Sequence, residues 1–577
     1  MTAADPTVAG HTTYDVVIVG GGPVGLLLAY QLGRFGVSIC VLEQHNKEMQ
    51  DAYGRAIALF PRTLELLDQL GVIEPMLQSG FACRKSVTYK NGKPVIPGRV
   101  WTFMENIKDT AYDFTLVLRQ MYTEAILREK LQSVGVTYFQ GVQCVDFECD
   151  EAKGPEDYPI TSTFRNKETD TRFELKSKYL VGADGGRSFV RRHAGIPFEG
   201  DTSEDKWIRI DGIVQTDMPI TRAYGAIESE THGNVLWAPL DHGATRIGYA
   251  YSEDIAVKYP GGVTQEVAIQ EAIESMKPFK VEFKEVHWWT LYTIGQRIAK
   301  TFSTRDRIFL CGDAAHTHSS GAAQGLNTGI HDAVNLGWKL AMRCRQIARP
   351  EVLQTYASER ASAVQQLIDY DKDIALLMSY KWPAWYKGDP HADPHLVLGE
   401  IFDKAAAFNT GLGISYSQNV LNCMQPTDQV CSLVPGSRPP DVELRMPGTN
   451  QSVRLQTIAP NRAVFSILVF TGNYSASIQD HFAKLQKYLY AAESLSASKA
   501  IRMLTIITRT GCSPYEALGR DPLGDAYFDP TQLAHNRLCI NLEEGAIVIL
   551  RPDGLVGAAG QIQGEWIYRY FSKILYI

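Results

Sequence analysis

The chain has 577 residues, several times the roughly 100–200 of a common domain, so two or three domains are expected. Its 45% hydrophobic and 21% charged residues exclude a disordered, collagen-like or disulfide-scaffold protein, and a formal charge of −7 without a long basic tract argues against nucleic acid as the main partner. No run approaches the roughly 20 apolar residues of a membrane span, the polar start MTAADPTVAGHTTYD lacks a signal-like stretch, and ten scattered cysteines without a CxxC pair read as reduced thiols, so a cytoplasmic protein is expected.

The first predicted element is the β-branched strand Tyr14–Gly20, of the kind buried on both faces of a parallel sheet. It runs into Gly20-Gly21-Gly22-Pro23-Val24-Gly25, then into the helix-favouring LLLAYQLGRFG, and a second strand at Val37–Leu42 ends at Glu43. This is a complete βαβ unit. A helix is predicted at RTLELLDQLG, followed by an irregular, aromatic-rich stretch from Val95 to Leu116. The helix RQMYTEAILREKLQSVG precedes strands at Thr137–Phe147 and Thr161–Arg165, and KYLVGADGGRSFVRRHAG reads as strand, glycine turn and helix start. Between Trp207 and Trp289, alternating segments such as GNVLWAPL and ATRIGYAYS indicate a largely antiparallel sheet. Strand Arg307–Cys311 leads to GDAAH and a long helix over roughly 324–348. Residues 361–430 read as helical and then irregular, and PGSRPPD (435–441) as a boundary. Beyond it, FSILVF, the helix IQDHFAKLQKYLYAAESL, MLTIIT and AIVILRPDG suit a small α/β layer domain.

Three glycine-bearing motifs carry the chemistry. In the first, Gly20 permits a tight turn, Gly22 lets the backbone approach a pyrophosphate, and Gly25 lets helix pack closely on strand. The helix N-terminus then offers unpaired N–H groups to phosphates. Glu43, 23 residues after Gly20, can accept hydrogen bonds from a ribose diol and would repel a 2′-phosphate, so FAD and NAD suit the site and NADP does not. The second motif, Gly182-Ala183-Asp184-Gly185, reads equally as an ordinary turn. In the third, Asp313 of GDAAH stands at a strand end where it can hold a ribityl hydroxyl, and Gln324-Gly325-Leu326-Asn327-Thr328-Gly329 opens a helix whose N–H groups can face a flavin pyrimidine ring. No Ser/His/Asp nucleophile arrangement or metal constellation stands out.

Together with Arg55-Ala56, RTLE (62–65), Arg119-Gln120, HTHSSGAAQGLNTGIHDAVNLGWKLA (316–341), YASER (356–360) and RPDG (551–554), these motifs resemble the class A flavoprotein monooxygenases, in particular the phenol hydroxylase-like branch with a C-terminal thioredoxin-like domain. The resemblance implies an α/β protein with a discontinuous Rossmann-like FAD-binding domain, an inserted substrate-binding β-sheet domain and that appendix. The boundaries expected are 1–94, 117–190 and 296–360 for FAD binding, 95–116 for an insert of the substrate domain, 191–295 for the substrate sheet, 361–434 for a helical linker and 435–577 for the appendix. It also implies that Glu43 binds the adenosine ribose, that Arg55 and Gln120 lie near the flavin and its phosphates, that Asp184 belongs to a motif for FAD and nicotinamide nucleotide, that Asp313 contacts the ribityl-pyrophosphate, and that Gly325, Leu326 and Asn327 lie beside the isoalloxazine. Two departures stand out: Ser320 where the branch commonly has Pro, and Ile57 where an acid is found.

The activity implied is hydroxylation of a phenolic substrate by O2 through a flavin C4a-hydroperoxide, with bound FAD and transient NADPH or NADH. Epoxidation, oxidative decarboxylation or Baeyer–Villiger oxidation of a larger secondary metabolite is the alternative, and a non-enzymatic flavin sensor a third reading. Tyr292 matches the tyrosine that bonds the substrate hydroxyl in this branch; on the residues alone, Trp288, Trp289 and Tyr292 equally suit packing of the sheet on its helices. His287 and His316 are assigned no proton-transfer role, and Arg246 reads as a paired surface charge. A homodimer through the C-terminal domain is left open.

Overall fold

Strand Thr13–Val19 is central to a mainly parallel sheet because its middle residues, Val16, Val17 and Ile18, are fully buried and need cover on both faces. In the computed structural model, which describes residues 12–47, 55–95, 100–319, 321, 323–378, 381–389, 391–423, 431–491, 495 and 498–577, it pairs in parallel with Ile39–Glu43 on one side and Arg172–Gly182 on the other. Ile308–Leu310 and Thr137–Gln140 extend the ladder on either side, also in parallel. Helix Pro23–Arg34 returns over this sheet and packs against helix Gly325–Cys344. The ends of all five parallel strands therefore come from separated parts of the chain.

A second sheet runs in the order His316–Thr317, Val281–Ala299, Phe198–Thr216, Thr245–Tyr251, Gly233–Pro239, Tyr224–Ser229, Ser86–Lys90, Lys93–Val95. It is antiparallel except where Tyr224–Ser229 meets Ser86–Lys90. That last strand lies before residue 95, so the second sheet draws on chain that the sequence boundaries leave with the FAD-binding part. Residues directly opposite one another in antiparallel strands share a face. Ile208, Ile210, Ile247, Tyr249, Val235 and Trp237 form one face and bury it under helix Gln265–Ser275. Arg209, Asp211, Arg246, Thr290 and Tyr292 stand on the other, where Arg246 bonds the Arg55 carbonyl and Arg55 lies over Tyr292.

The third sheet, from Glu443 to Gly560, has parallel strands Phe465–Phe470, Ile501–Ile507 and Asp525–Phe528, with Ala546–Leu550 and Val556–Gly560 antiparallel beyond the first. With helices Ala476–Ala491 and Gly564–Ile574 it makes the thioredoxin-like layer domain. Its junction is not a loose hinge. Arg438, in the middle of PGSRPPD, is buried and pairs with Glu65 at 2.6 Å and Asp109 at 3.0 Å, while Arg62 donates to Glu65 at 2.9 Å. Among the described residues no helix is long and apolar enough to cross a membrane.

Candidate active site

The first motif is built as its glycines require. Gly20 has φ +115°, and a Cβ there would lie 2.2 Å from the Ala183 carbonyl oxygen; a Cβ on Gly25 would lie 2.1 Å from the Gly20 carbonyl. The first and second motifs therefore touch backbone to backbone. Gly22 faces open space, with no protein atom within 4 Å of a built Cβ, directly at the N-terminus of helix Pro23–Arg34. An anion fits there. Glu43 is buried at the end of its strand, where its carboxylate accepts from Gly21 N–H at 2.7 Å and His45 N–H at 2.8 Å. These bonds fix the carboxylate beside the glycine turn, and each oxygen retains capacity for a ribose hydroxyl.

Asp313 lies in the short turn Gly312–Ala314 after buried strand Ile308–Leu310, and it is exposed with no hydrogen-bond or ion-pair partner among the described residues. An exposed carboxylate, an open helix N-terminus and a buried acid at the ends of strands in one parallel sheet fit an FAD, and Glu43, Gly22 and Asp313 would hold its ribose, pyrophosphate and ribityl chain.

Two residues absent from the sequence reading hold these motifs together. Arg191 is buried and donates to Ala314 O at 2.8 Å and Gly186 O at 3.0 Å, joining the second motif to the third. Asp332, fully buried on helix Gly325–Cys344, accepts from Gly312 N–H at 2.9 Å, His316 Nε2 at 2.7 Å and Arg360 Nε at 2.6 Å. His316 thus has a structural partner. Burial alone would push the Asp332 carboxyl up, but Arg360 and His316 outweigh it and hold the group at about 2. A carboxyl depressed on folding contributes stability above its ordinary value near 3.8 and loses it as pH falls toward 2. Over that window thermal unfolding should lose about 2 kcal/mol that Asp332→Asn does not lose; parallel pH profiles of the two proteins would refute the assignment.

Asp184 is engaged through its side chain within its own motif. Its carboxylate accepts from Ser188 Oγ at 2.5 Å, Phe189 N–H at 2.6 Å and Val190 N–H at 3.1 Å, capping helix Phe189–His193. Burial nevertheless pushes this carboxyl up, more than those bonds pull it down. Asn327 is likewise spent within the protein. Its side-chain oxygen accepts from Phe60 N–H at 2.8 Å and its nitrogen donates to Ala58 O at 3.0 Å, which ties residues 58–60 to the helix start. Leu326 is buried, and Gly325 begins the helix beside His318, so it is backbone N–H groups that this turn can offer a ring. Gln120 turns its amide to Glu124 at 2.9 Å while its N–H bonds Ala56 O at 3.0 Å.

Segment 55–60 thereby runs from the start of helix Gly325–Cys344 to the second sheet. There the Arg55 guanidinium lies 4.3 Å above the Tyr292 ring, and the Arg55 carbonyl accepts from Arg246. Tyr292 stands on the sheet face turned to the first domain, as does Trp288 opposite Asp211, whereas Trp289 packs with the core beneath the other face. The packing reading thus holds for Trp289 and fails for the other two. Arg246 is paired, with Asp211 at 2.6 and 2.9 Å, but it is buried, not at the surface. Arg119 pins the turn between two strands of this sheet through Asp241 at 2.7 Å and reaches His287 at 3.1 Å. Ile57, Trp101, Phe103, Tyr224 and Ala238 form an apolar wall beside these groups, with Met378 against it. Ser320 lies outside the described residues.

Comparison with known proteins agrees with this geometry. Residues 13–371 match the family described as FAD binding domain. The chain is 28% identical to a phenol 2-monooxygenase of Aspergillus fumigatus, with 94% of this chain and 93% of that one aligned. It is 33% identical to the 3-hydroxybenzoate 4-monooxygenase of Comamonas testosteroni over 72% of this chain and 68% of that one. It is 30% identical to the 6-methylpretetramide 4-monooxygenase of Streptomyces rimosus over 95% and 91%. The fold matches a crystal structure of aklavinone-11 hydroxylase with FAD and aklavinone at a TM-score of 0.73 and 20% identity, covering 97% of this chain and 98% of that one. The chain thus belongs to the FAD binding domain family and is an FAD-dependent monooxygenase.

Proposed function

We propose that this protein hydroxylates a phenolic aromatic compound with O2, drawing electrons from NADPH or NADH. The observation that supports the reading is the position of Tyr292, beneath Arg55 on the second-sheet face it shares with Arg246, and beside an apolar wall. The phenol and hydroxybenzoate monooxygenases among the relatives support it. FAD held by Gly20, Gly22, Gly25, Glu43 and Asp313 supplies the redox chemistry and the activation of oxygen.

The rest falls to side chains of this chain. A phenol of pKa about 10 is mostly protonated at neutral pH, and drawing off its proton enriches the ring carbons ortho and para to the oxygen. Tyr292 Oη is the hydroxyl on that face that would bond the phenol oxygen and assist that proton. Ile57, Trp101 and Met378 exclude water from the ring, and the Trp101 indole, donating to Gly321 O at 3.2 Å, keeps the wall against the loop before helix Gly325–Cys344. The balance is one ring C–H converted to C–OH, the second oxygen atom leaving as water, and NAD(P)H oxidised.

Purified protein should be yellow, oxidise NAD(P)H faster when a suitable phenol is added, and give a product one oxygen atom heavier with its skeleton intact. Loss of carbon or lactone formation would overturn hydroxylation. Tyr292→Phe should lower product formation about 10²-fold while oxygen consumption continues. Product formation within threefold of wild type would remove Tyr292 from the mechanism.

A further inference from the structure

Asp371 is fully buried near the end of helix Pro350–Met378, and among the described residues its carboxylate is met by neutral donors. Oδ1 accepts from Ser319 Oγ at 2.6 Å, and Oδ2 accepts from Ser319 N–H at 2.7 Å and from Gln296 Nε2 at 2.8 Å. Taking a carboxylate out of water for neutral donors costs free energy, and a well-packed apolar side chain would avoid that cost. The two donor residues come from segments that border the pocket. Gln296 lies four positions beyond Tyr292 on strand Val281–Ala299, and Ser319 stands between strand His316–Thr317 and helix Gly325–Cys344.

From Ser319 a relay leads to the apolar wall. The Ser319 hydroxyl, donating to Asp371, accepts from Gly321 N–H at 3.1 Å, and Gly321 O accepts from the Trp101 indole at 3.2 Å. A Cβ on Gly321 would come 3.2 Å from Met378 Sδ and 3.3 Å from Ile374 Cγ2, so Gly321 lies tight against the helix. Asp371, Ile374 and Met378 fall at i, i+3 and i+7, on one helical face. That face therefore holds Ser319 by charge and Gly321 by close packing. Trp101 and Ala323 are both in left-handed backbone, with φ +58° and +54°, which a non-glycine residue keeps only where its surroundings enforce it. Trp101 also meets Tyr224 edge to face within the wall, ring centroids 5.6 Å apart.

We propose that Asp371 is a positioning residue for the hydroxylation: it fixes Ser319 and Gly321 and, through them, the Trp101 wall in register with the strand that carries Tyr292, so that NAD(P)H oxidation stays coupled to product. This rests on the phenol-hydroxylating reading above and goes further in naming what keeps the reaction coupled. The uncoupled outcome uses the same two electrons: NAD(P)H, O2 and a proton give NAD(P)+ and hydrogen peroxide, and the ring keeps its C–H. Water entering the pocket favours that outcome, and a wall held in place opposes it.

The test uses the FAD-loaded protein and a panel of phenol, 3-hydroxybenzoate and 4-nitrophenol. Product and hydrogen peroxide formed per NAD(P)H are read beside thermal unfolding and hydrogen exchange of the Ser319 and Gly321 amides. Asp371→Leu leaves the Ser319 and Gln296 donors unmatched, and should lower product per NAD(P)H about tenfold, hydrogen peroxide making up the difference. Exchange of the Ser319 amide should become about tenfold faster. Asp371→Asn should restore part of the coupling, because its oxygen still accepts from both N–H donors while the Ser319 hydroxyl can turn toward the new amide. Ser319→Ala breaks the relay to Gly321 with the carboxylate in place, and should fall between Asp371→Leu and wild type; it decides the matter should Asp371→Leu lose FAD. Coupling within about twofold of wild type, even with a lower melting temperature, would make the contact purely structural and overturn the inference. Unchanged exchange at Ser319 and Gly321 would overturn it too. If wild type hydroxylates phenols and the variants stay coupled, this inference alone fails. If wild type hydroxylates none of the panel, the proposed function fails and this inference with it.

Discussion

Gly20→Ala is expected to give protein that retains no FAD and is destabilised by about 3 kcal/mol or more. The residue sits at φ +115°, where a side chain is strained, and the added methyl would meet the carbonyl of Ala183 at 2.2 Å and the amide of Asp184 at 2.9 Å. Both are backbone atoms at the point where two parallel strands end, so neither can retreat without shifting the ladder. Strain and overlap of this kind each cost about 1–3 kcal/mol. Gly22→Ala provides the contrast. Its methyl meets no protein atom within 4 Å, so the apoprotein should unfold within about 0.5 kcal/mol of wild type. Yet that methyl stands where a pyrophosphate must approach, and FAD affinity should fall sharply. Flavin content after purification and thermal unfolding of apoprotein separate the two effects. A Gly22→Ala protein with wild-type FAD affinity would move the pyrophosphate away from this turn.

The second large effect lies at the seam between helix Pro350–Met378 and the C-terminal layer. Arg551→Met should cost about 3–5 kcal/mol, because it leaves two buried carboxylates without their main cation. Arg551 donates to Glu359 at 2.6 and 3.0 Å, to Asp553 at 2.7 and 3.0 Å, and to Asn422 at 2.8 Å. Lys339 reaches Glu359 at 2.8 Å, and Trp338 donates to Asp553 at 3.1 Å. All of these groups are buried, so water cannot take the place of a lost partner. The attraction of Arg551 and Lys339 outweighs burial and holds the Glu359 carboxyl far below its usual range. Glu359→Gln should be destabilising too, and the double variant should lose less than the two single losses added together. Denaturant unfolding of the four proteins measures this. A single-variant loss below 1 kcal/mol, or strict additivity, would show the network to be ornamental.

These two cases mark what the residues alone could reveal. The strand, glycine turn and helix that place Gly20, Gly22 and Glu43 were legible because that geometry is local, contained within some 25 residues. Tyr292 was ambiguous because alternation in a strand does not say which face a residue takes; the register puts it on the face of Arg209 and Asp211, opposite the one buried under helix Gln265–Ser275. Arg62, Glu65, Glu359 and Arg551 entered only as marks of resemblance. Their work is pairing across the chain, Arg438 with Glu65 over 373 positions and Arg551 with Glu359 over 192. No window of sequence contains both partners. Proline and glycine in PGSRPPD pointed to a boundary, but they could not reveal that the arginine between them is buried against the first domain. Asp184, Asn327 and Gln120 show the converse: the sequence marks their segments, but the bonds their side chains make inside the protein follow only from the fold.

One helix has a consequence for modularity. Pro350–Met378 carries Glu359, which grips the C-terminal layer, and Arg360, which grips Asp332 behind the third glycine motif. Three turns later its Asp371 accepts from Ser319 N–H at 2.7 Å and Ser319 Oγ at 2.6 Å. Ser319 belongs to the loop leading to helix Gly325–Cys344. A chimera that exchanged the appendix for one from a relative would therefore inherit a mismatched rod running straight to the third glycine motif, unless the graft carried its own counterpart of Arg551. The last 140 or so residues are a keystone of this architecture, not a detachable ornament.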